Sequence, residues 1–456
     1  MKKENLCNQE INCELCKMLS ECKAWEAYVK THNDVKSYAH FGKRVSLRLE
    51  NVLEYVMSPS KVSNHGFYPF IHFKKQIIKF RKNSNLKEKS RDLYYCSHLD
   101  RCVYQRYAFI LNQRYEKWLQ EHKLDDVAIA YRNNLNKNTA YFANLAFRKI
   151  YQSSQCFILV SDFKSFFDNI NHKYLKRKLL ELLKESTLEK DMYNVYKHIT
   201  GFSYCDWDNI MEVLGLENTV RNRKLVNHRA RLLSREQLNK NKHIIQKHQQ
   251  DYGIPQGSPI SAVLANIYMM SFDELLNEYV ISNNGLYMRY SDDIIIIIPG
   301  NSMEEIFDYN NSVTKLCDSF KSYVSLQEDK TKRLFYDGKK IINLGTNKED
   351  QIDYLGFCFD GFRTKFRPKG ITKYYYRLHR KAKNIRRCNG VTKLGHVISN
   401  SNIYNLYSER GEQNYISYLK NCYRIMEIHD PEAEAIVKHN MTKIKRLIKP
   451  KSKVDK

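Results

Sequence analysis

Residues Tyr287–Pro299 read YMRYSDDIIIIIP, and the reading of this stretch decides the fold. Tyr287, Met288 and Tyr290 lie on one side of the polar trio Ser291-Asp292-Asp293, and Ile294 to Ile298 on the other. A β-branched run of that length predicts a buried strand, and the polar trio predicts a hairpin tip. Two adjacent carboxylates repel, so a fold keeps them at one tip when a cation or a base offsets their charge. An Asp-Asp pair alone is common in surface turns. Here it has an apolar strand on each side, a matching aspartate far earlier in the chain, and a glycine-containing loop between the two. The earlier aspartate is Asp162, which ends the apolar run Gln155–Ser161, QCFILVS. The loop is Gly253–Pro259, GIPQGSP, read as a helix start with Ser258 at the N-cap and Pro259 in the first turn. Strand-end carboxylates on neighbouring strands present oxygen ligands to Mg²⁺, which completes its shell with water and substrate phosphates. Two such ions would clamp the attacking 3′-oxygen and the departing pyrophosphate of an in-line displacement.

The chain has 456 residues, and its basic excess is 76 − 50 = 26. A polyanion, nucleic acid or an anionic membrane, is the partner such a surface suits. No apolar run approaches the length of a membrane span. The start, MKKENLCNQE, lacks a signal-peptide core, so a cytoplasmic protein is expected. Twelve cysteines without a secretory signal point to reduced thiols. Of Cys7, Cys13, Cys16 and Cys22, only Cys13 and Cys16 have the spacing common in zinc sites, and a helix with buried small apolar thiols is the plainer reading.

Residues up to about 85 read as mainly helical, and Leu93–Trp118 as a helix rich in aromatics. A further helix is expected from Asn138 or Thr139, and another beyond Asn171 with Leu175, Leu179, Leu182 and Leu183 along one face. Cys205–Gln250 is polar and basic, and reads as an insertion at the rim of a cleft. Met303, Ile306, Tyr309, Val313, Leu316 and Phe320 recur at helical spacing, and Thr331–Phe359 reads as short strands. The last hundred residues are helical and basic.

Five stretches, in this order, resemble the motifs of bacterial and group II intron-type reverse transcriptases. They are Asp162–Ile170 (DFKSFFDNI), Gly253–Ser261 followed by Leu264-Ala265-Asn266, Tyr290-Ser291-Asp292-Asp293, Leu326 through Lys330-Thr331, and Tyr354-Leu355-Gly356-Phe357. The resemblance implies an α+β right-hand polymerase with fingers, a palm of antiparallel sheet with helices, and a helical thumb. The layout it suggests is a helical extension at 1–85, fingers at 86–155, palm at 156–360 with an insertion at about 205–250, and a basic thumb and tail at 361–456. Asp162, Asp292 and Asp293 would be the catalytic acids. With the Phe163 carbonyl they would ligate two Mg²⁺ ions, for which Mn²⁺ can substitute. Phe167 falls at the steric-gate position that favours deoxynucleotides, where an ordinary core aromatic is the plainer reading. Gln256 and Gly257 resemble the loop against the templating base and incoming nucleotide. Arg91 and Arg132 resemble the finger residues that grip the triphosphate, and Lys330 resembles the fourth-motif lysine near the leaving group, where an ordinary solvated lysine is the alternative. Tyr354, Leu355 and Gly356 resemble the primer grip. Lys373, Arg377, Arg380 and Lys381 would line the hybrid duplex, or simply form the solvated face of a helix.

The chain lacks thumb signatures of retron enzymes and a maturase extension. The pattern is similar to that of the stand-alone bacterial unknown-group and abortive-infection reverse transcriptases. That likeness implies an antiphage role, a dedicated non-coding RNA as template, dNTPs as substrates, a cDNA product and no membrane. The alternatives are a retron- or intron-derived enzyme, an RNA-dependent RNA polymerase, a silent RNA-binding scaffold, and a tyrosine-primed mode.

Overall fold

The computed structural model describes residues 14–31, 36–79, 87–387 and 400–449. The chain divides into two compact units, each assembled from separated stretches. One comprises Met1–Tyr131, Phe163–Glu274 and Phe320–Ser325, the other Arg132–Asp162, Leu275–Ser319 and Leu326–Lys456. The strands in chain order are β1 (Phe70–Lys79), β2 (Lys87–Tyr95), β3 (Cys156–Asp162), β4 (Ser203–Asp206), β5 (Gln246–Lys247), β6 (Leu286–Tyr290), β7 (Asp293–Pro299), β8 (Lys332–Tyr336), β9 (Ile341–Asn343), β10 (Ile352–Tyr354), β11 (Phe357–Phe359) and β12 (Thr364–Phe366).

In the second unit, a five-stranded antiparallel sheet runs β6-β7-β3-β8-β9. Its centre is apolar on both faces. Cys156–Leu159 of β3 and Ile294–Ile298 of β7 are fully buried. Each such side chain contributes about 1.5–3 kcal/mol relative to exposure. The Thr139–Gln152 helix packs against β7, and the Met303–Ser319 helix against β3. Asn138 caps the first of these through Tyr141 N at 3.0 Å, and Ala140, Phe142, Ala143, Ala146, Phe147 and Ile150 form its buried stripe. Phe147 stacks on Phe359 with ring centroids 4.8 Å apart, joining this helix to the β10-β11-β12 sheet.

Helices Pro368–Arg387, Asn400–Tyr407, Tyr415–Ile425 and Pro431–Ile448 follow. The first buries Ile371, Tyr374, Leu378, Ala382 and Ile385, and the Tyr374 hydroxyl donates to Tyr407 O at 2.8 Å. Lys373, Arg377 and Arg380 lie on its exposed face, with Lys381 half-buried at the margin. A buried apolar stripe and an outward basic one therefore share the helix.

In the first unit, a four-stranded sheet runs β2-β1-β4-β5. The strand at Phe70–Lys79 corrects the expectation of helix to about residue 85. The reason is an alternation hidden by the lysines. Ile71 enters a core with Trp207, Ile210, Met211 and Val226, and Phe73 packs against that core, while His72 and Lys74 project from the other face. The same core corrects the picture of 205–250 as a polar insertion. That stretch supplies Cys205, Trp207, Ile210, Met211, Val226, Leu232, Leu233, Leu238 and Ile244. Helix His98–Glu121 begins past β2 with Ser97 as its N-cap. The helix after Asn171 is capped by that residue through Tyr174 N at 2.9 Å.

Cys96, Cys102, Cys156, Cys205, Cys317, Cys358 and Cys422 are free and buried. Among the described residues no helix is long and apolar enough to cross a membrane.

Candidate active site

The acids of the second unit gather at one end of its central strands. In the β3–β7 register Asp162 lies opposite Asp293. The β6–β7 hairpin pairs Tyr290 with Asp293, leaving Ser291 and Asp292 as a two-residue loop. Ser291 takes φ 60°, the positive value that a twist-matched two-residue hairpin requires at its first loop position. Beneath the loop the fully buried Arg289 donates from its guanidinium to Ser291 O at 3.1 Å, holding the turn from inside.

Lys330 reaches the same place from the Glu328–Lys330 turn, where its ammonium pairs with the Asp162 carboxylate. The turn is fixed to β3 by Gln327 N donating to Asp162 O at 2.8 Å and by the 2.6 Å hydrogen bond between the Ser161 and Thr331 hydroxyls. Burial, a hydrogen bond with Asp162 and the charges of Asp162 and Asp292 hold the Asp293 carboxyl well above the usual carboxylate range. Arg367 offsets this only in part. A cation bound between the carboxylates would reverse that direction.

Carboxylates at one sheet end are hard oxygen donors, the chemistry that suits a divalent ion of the magnesium class. Among the described residues no group of three or more His, Cys, Asp or Glu side chains is arranged to hold a metal ion by itself. An ion held here would rely on other ligands, as Mg²⁺ sites do when substrate phosphates complete the shell.

Tyr354 is fully buried and its hydroxyl has no hydrogen-bond partner among the described residues. Burial first, then the charges of Asp293 and Tyr290, keep that hydroxyl protonated. What this motif turns outward is therefore the Leu355-Gly356 loop joining β10 to β11. Both its residues have positive φ, 47° and 96°. Arg132 belongs to this unit and is buried.

In the first unit the Gly253–Pro259 loop is tied to β2 by backbone. Tyr94 N donates to Gln256 O at 2.9 Å. Gly257 has φ 118°, and a Cβ there would stand 2.3 Å from Tyr94 O. Only glycine permits this approach. The loop also reaches the Phe166–Asn169 turn, where Ile254 N donates to Phe167 O at 3.0 Å and Gly253 N to Ile170 O at 2.8 Å. The loop that carries Gln256 and Gly257 is thus joined to β2 at Gln256 and to the Phe167 turn at Ile254. Ser258 does not cap the helix as expected. The helix spans Ser261–Tyr268, and the Ser258 hydroxyl is buried without a partner, while Ser261 donates to Pro255 O at 2.7 Å. Phe163 is buried against Phe166 and Phe272.

Arg91 is exposed on β2 directly across from exposed Lys75 on β1. Like charges in that relation repel unless an anion lies between or near them. The sheet under them is pinned by His72, which bonds Asp92 through Nε2 at 2.8 Å and Asp206 through Nδ1, linking β1, β2 and β4.

Sequence reasoning missed Arg289, Arg367 and His72. An arginine inside the strand LYMRY and a histidine alternating with Ile71 and Phe73 were the available signals. Cys7 and Cys13 lie outside the described residues, as do the side chains of Cys16 and Cys22 on the Glu14–Thr31 helix.

Residues 81–359, more than half of the chain, match the family described as reverse transcriptase (RNA-dependent DNA polymerase). No curated protein matches. Among solved structures, the chain is similar to apo telomerase from Candida tropicalis truncated from its C-terminal domain. The identity is 11%, the TM-score 0.41, and the match covers 71% of this chain and 61% of that one. It is similar also to apo telomerase from Candida tropicalis, at 12% identity and TM-score 0.40, covering 95% and 73% of the two chains. A third is telomerase from Candida albicans in complex with a TWJ fragment of telomeric RNA, at 12%, TM-score 0.36, covering 95% and 64%. The chain spans about 61% of the length of the first of these structures.

Proposed function

The chain belongs to the reverse transcriptase family of RNA-dependent DNA polymerases, and from that premise we propose that it extends a DNA strand along an RNA template. One observation carries the reading: Asp162 and Asp293 face each other across paired strands, with Asp292 in the adjoining two-residue loop. Members of this family generally use divalent metals. Asp162, Asp292 and the Phe163 carbonyl would hold two ions here, Mg²⁺ or Mn²⁺ in its place, with Asp293 in support. The chemistry such ions supply when bound is charge stabilisation on the attacking and departing oxygens.

The remaining roles belong to the protein's own groups. Lys330, already paired with Asp162, can turn its ammonium to the departing phosphates once the carboxylate has another counter-charge. Arg91, beside Lys75, offers a guanidinium fork to the triphosphate, and Arg132 is assigned to the same task. The Phe167 ring would crowd a 2′-hydroxyl, and Gln256 with Gly257 would lie against the base pair being formed. Leu355 and Gly356, with Tyr354 behind them, would position the primer end. Lys373, Arg377, Arg380 and Lys381 would follow the backbone of the hybrid.

The finer reading is a bacterial cytoplasmic enzyme that copies a dedicated non-coding RNA into cDNA during antiphage defence. The motif likeness to the stand-alone groups supports it. Sequencing the nucleic acids that co-purify with the chain tests it: one enriched RNA species with its complementary DNA is expected, and bulk cellular RNA alone would refute it.

The polymerase reading is tested by extension of a DNA primer on an RNA template. Incorporation of dNTPs is expected, with ribonucleotides rejected. Phe167→Ala should raise ribonucleotide use roughly tenfold or more. Preference for ribonucleotides in the unaltered protein would favour an RNA polymerase instead.

A further inference from the structure

A polar cleft lies within the first unit, lined by parts of the Phe163–Asn171 segment, Tyr252 and residues 321–325, with a volume of about 250 Å³. Its walls are tied to each other. Lys164 N donates to Ser325 O at 2.9 Å, and the Asn169 side chain donates to Lys164 O at 3.0 Å. The Tyr268 hydroxyl donates to Tyr323 O at 3.0 Å and accepts from Asn171 N at 3.2 Å. The opening therefore exists without rearrangement. Phe166 contributes a buried apolar floor.

The charge on this cleft is one-sided. Lys164 and Lys321 both line it, both are exposed, and neither has an acidic partner among the described residues. Lysines elsewhere, such as Lys178, Lys332 and Lys340, are ion-paired. Among the described residues no acidic side chain lines the cleft. Asn171 spends its amide oxygen on Tyr174 N, which leaves its NH₂ group as a donor. Two ammonium groups with neutral donors and no carboxylate select an anion rich in acceptor oxygens. The volume is below that of a drug-sized pocket and suits a small polyanion. Tyr252, with nearly half its surface exposed, places one aromatic face at the rim.

We propose that this cleft is an accessory site for a phosphate-bearing small anion, either free pyrophosphate or the terminal phosphates of a nucleotide. The choice of these ligands rests on the polymerase reading, while the preference for a polyanion rests on the cleft alone.

The test is calorimetric titration of pyrophosphate into the full chain with chelator present, so that neither polymerisation nor metal-bridged binding contributes. One saturable site is expected. Lys164→Gln with Lys321→Gln should weaken it at least about tenfold, a change of about 1.4 kcal/mol or more. The exposed pair Lys339→Gln with Lys348→Gln should leave it unchanged, and melting temperatures should agree across variants. Equal binding by the two double variants would overturn the proposal. Competition by dTTP, weakened by Tyr252→Ala while pyrophosphate binding is not, assigns the site to a nucleotide. Failure of dTTP to compete assigns it to free pyrophosphate. Thymidine binding as tightly as dTTP would overturn the phosphate chemistry. An Asp162→Asn protein that cannot extend a primer should still bind pyrophosphate, so the anion site and the polymerase reading fail separately.

Discussion

In the five-stranded sheet the candidate site is a set of side chains standing on an apolar base, whereas in the four-stranded sheet the equivalent join is made by backbone. Asp162, Asp293 and Lys330 can each be altered without touching the buried isoleucines beneath them. Gly257 cannot be altered without moving Tyr94, because its close approach is to a carbonyl oxygen. The contrast teaches that chemistry and stability are separable in one sheet and fused in the other.

The largest expected effect tests the separable half. Asp162→Asn, and independently Asp292→Asn with Asp293→Asn, should each lower primer extension on an RNA template by about 10³-fold or more. That is the several kcal/mol of charge stabilisation that disappears with the metal-binding carboxylates. Melting temperature should hold within a few degrees, since neutralising a carboxylate relieves repulsion among neighbouring like charges while Asp162→Asn also gives up the ion pair with Lys330. Loss of the fold in these variants would break the contrast.

Gly257→Ala tests the fused half. Its methyl group would meet Tyr94 O at 2.3 Å in a backbone conformation of φ 118°. Chemical denaturation should show a loss of roughly 1–3 kcal/mol together with weaker extension. Gln256→Ala keeps the carbonyl that Tyr94 uses and should spare stability. Wild-type stability in Gly257→Ala would show the join to be loose.

The smallest effect sharpens the comparison with a third surface, the helix Pro368–Arg387, which also carries charges outside an apolar stripe. Lys373→Gln, Arg377→Gln and Arg380→Gln should leave stability unchanged. Each should weaken hybrid-duplex binding severalfold and reduce the slope of log affinity against log salt by about 0.9 for every phosphate no longer neutralised. An unchanged slope would make this face merely solvated.

What the sequence disclosed follows the same division. The acid-bearing hairpin was legible because five consecutive isoleucines and a polar trio leave little choice of local structure. The Asp162 strand was legible for the same reason. The β1 strand was hidden because Lys74, Lys75 and Lys79 mask the alternation of Ile71 and Phe73. The encounter of Gly257 with Tyr94 was not legible, since nothing local to either residue encodes their meeting. The Lys330–Asp162 pair was likewise a matter of tertiary register. The Ser258 cap failed because the chain makes one more turn before the helix, and Ser261 takes the polar contact instead.

The placement of β3 has a further consequence, for biosynthesis. Both of its neighbours, β7 and β8, are encoded far downstream. As the chain leaves the ribosome, the CFILV segment emerges with two unpaired edges and waits for partners that begin 293 − 162 = 131 and 332 − 162 = 170 residues after it ends. Slow codons between residues 162 and 293, or limiting chaperone, should therefore reduce the yield of native enzyme far more than they alter the finished molecule's properties.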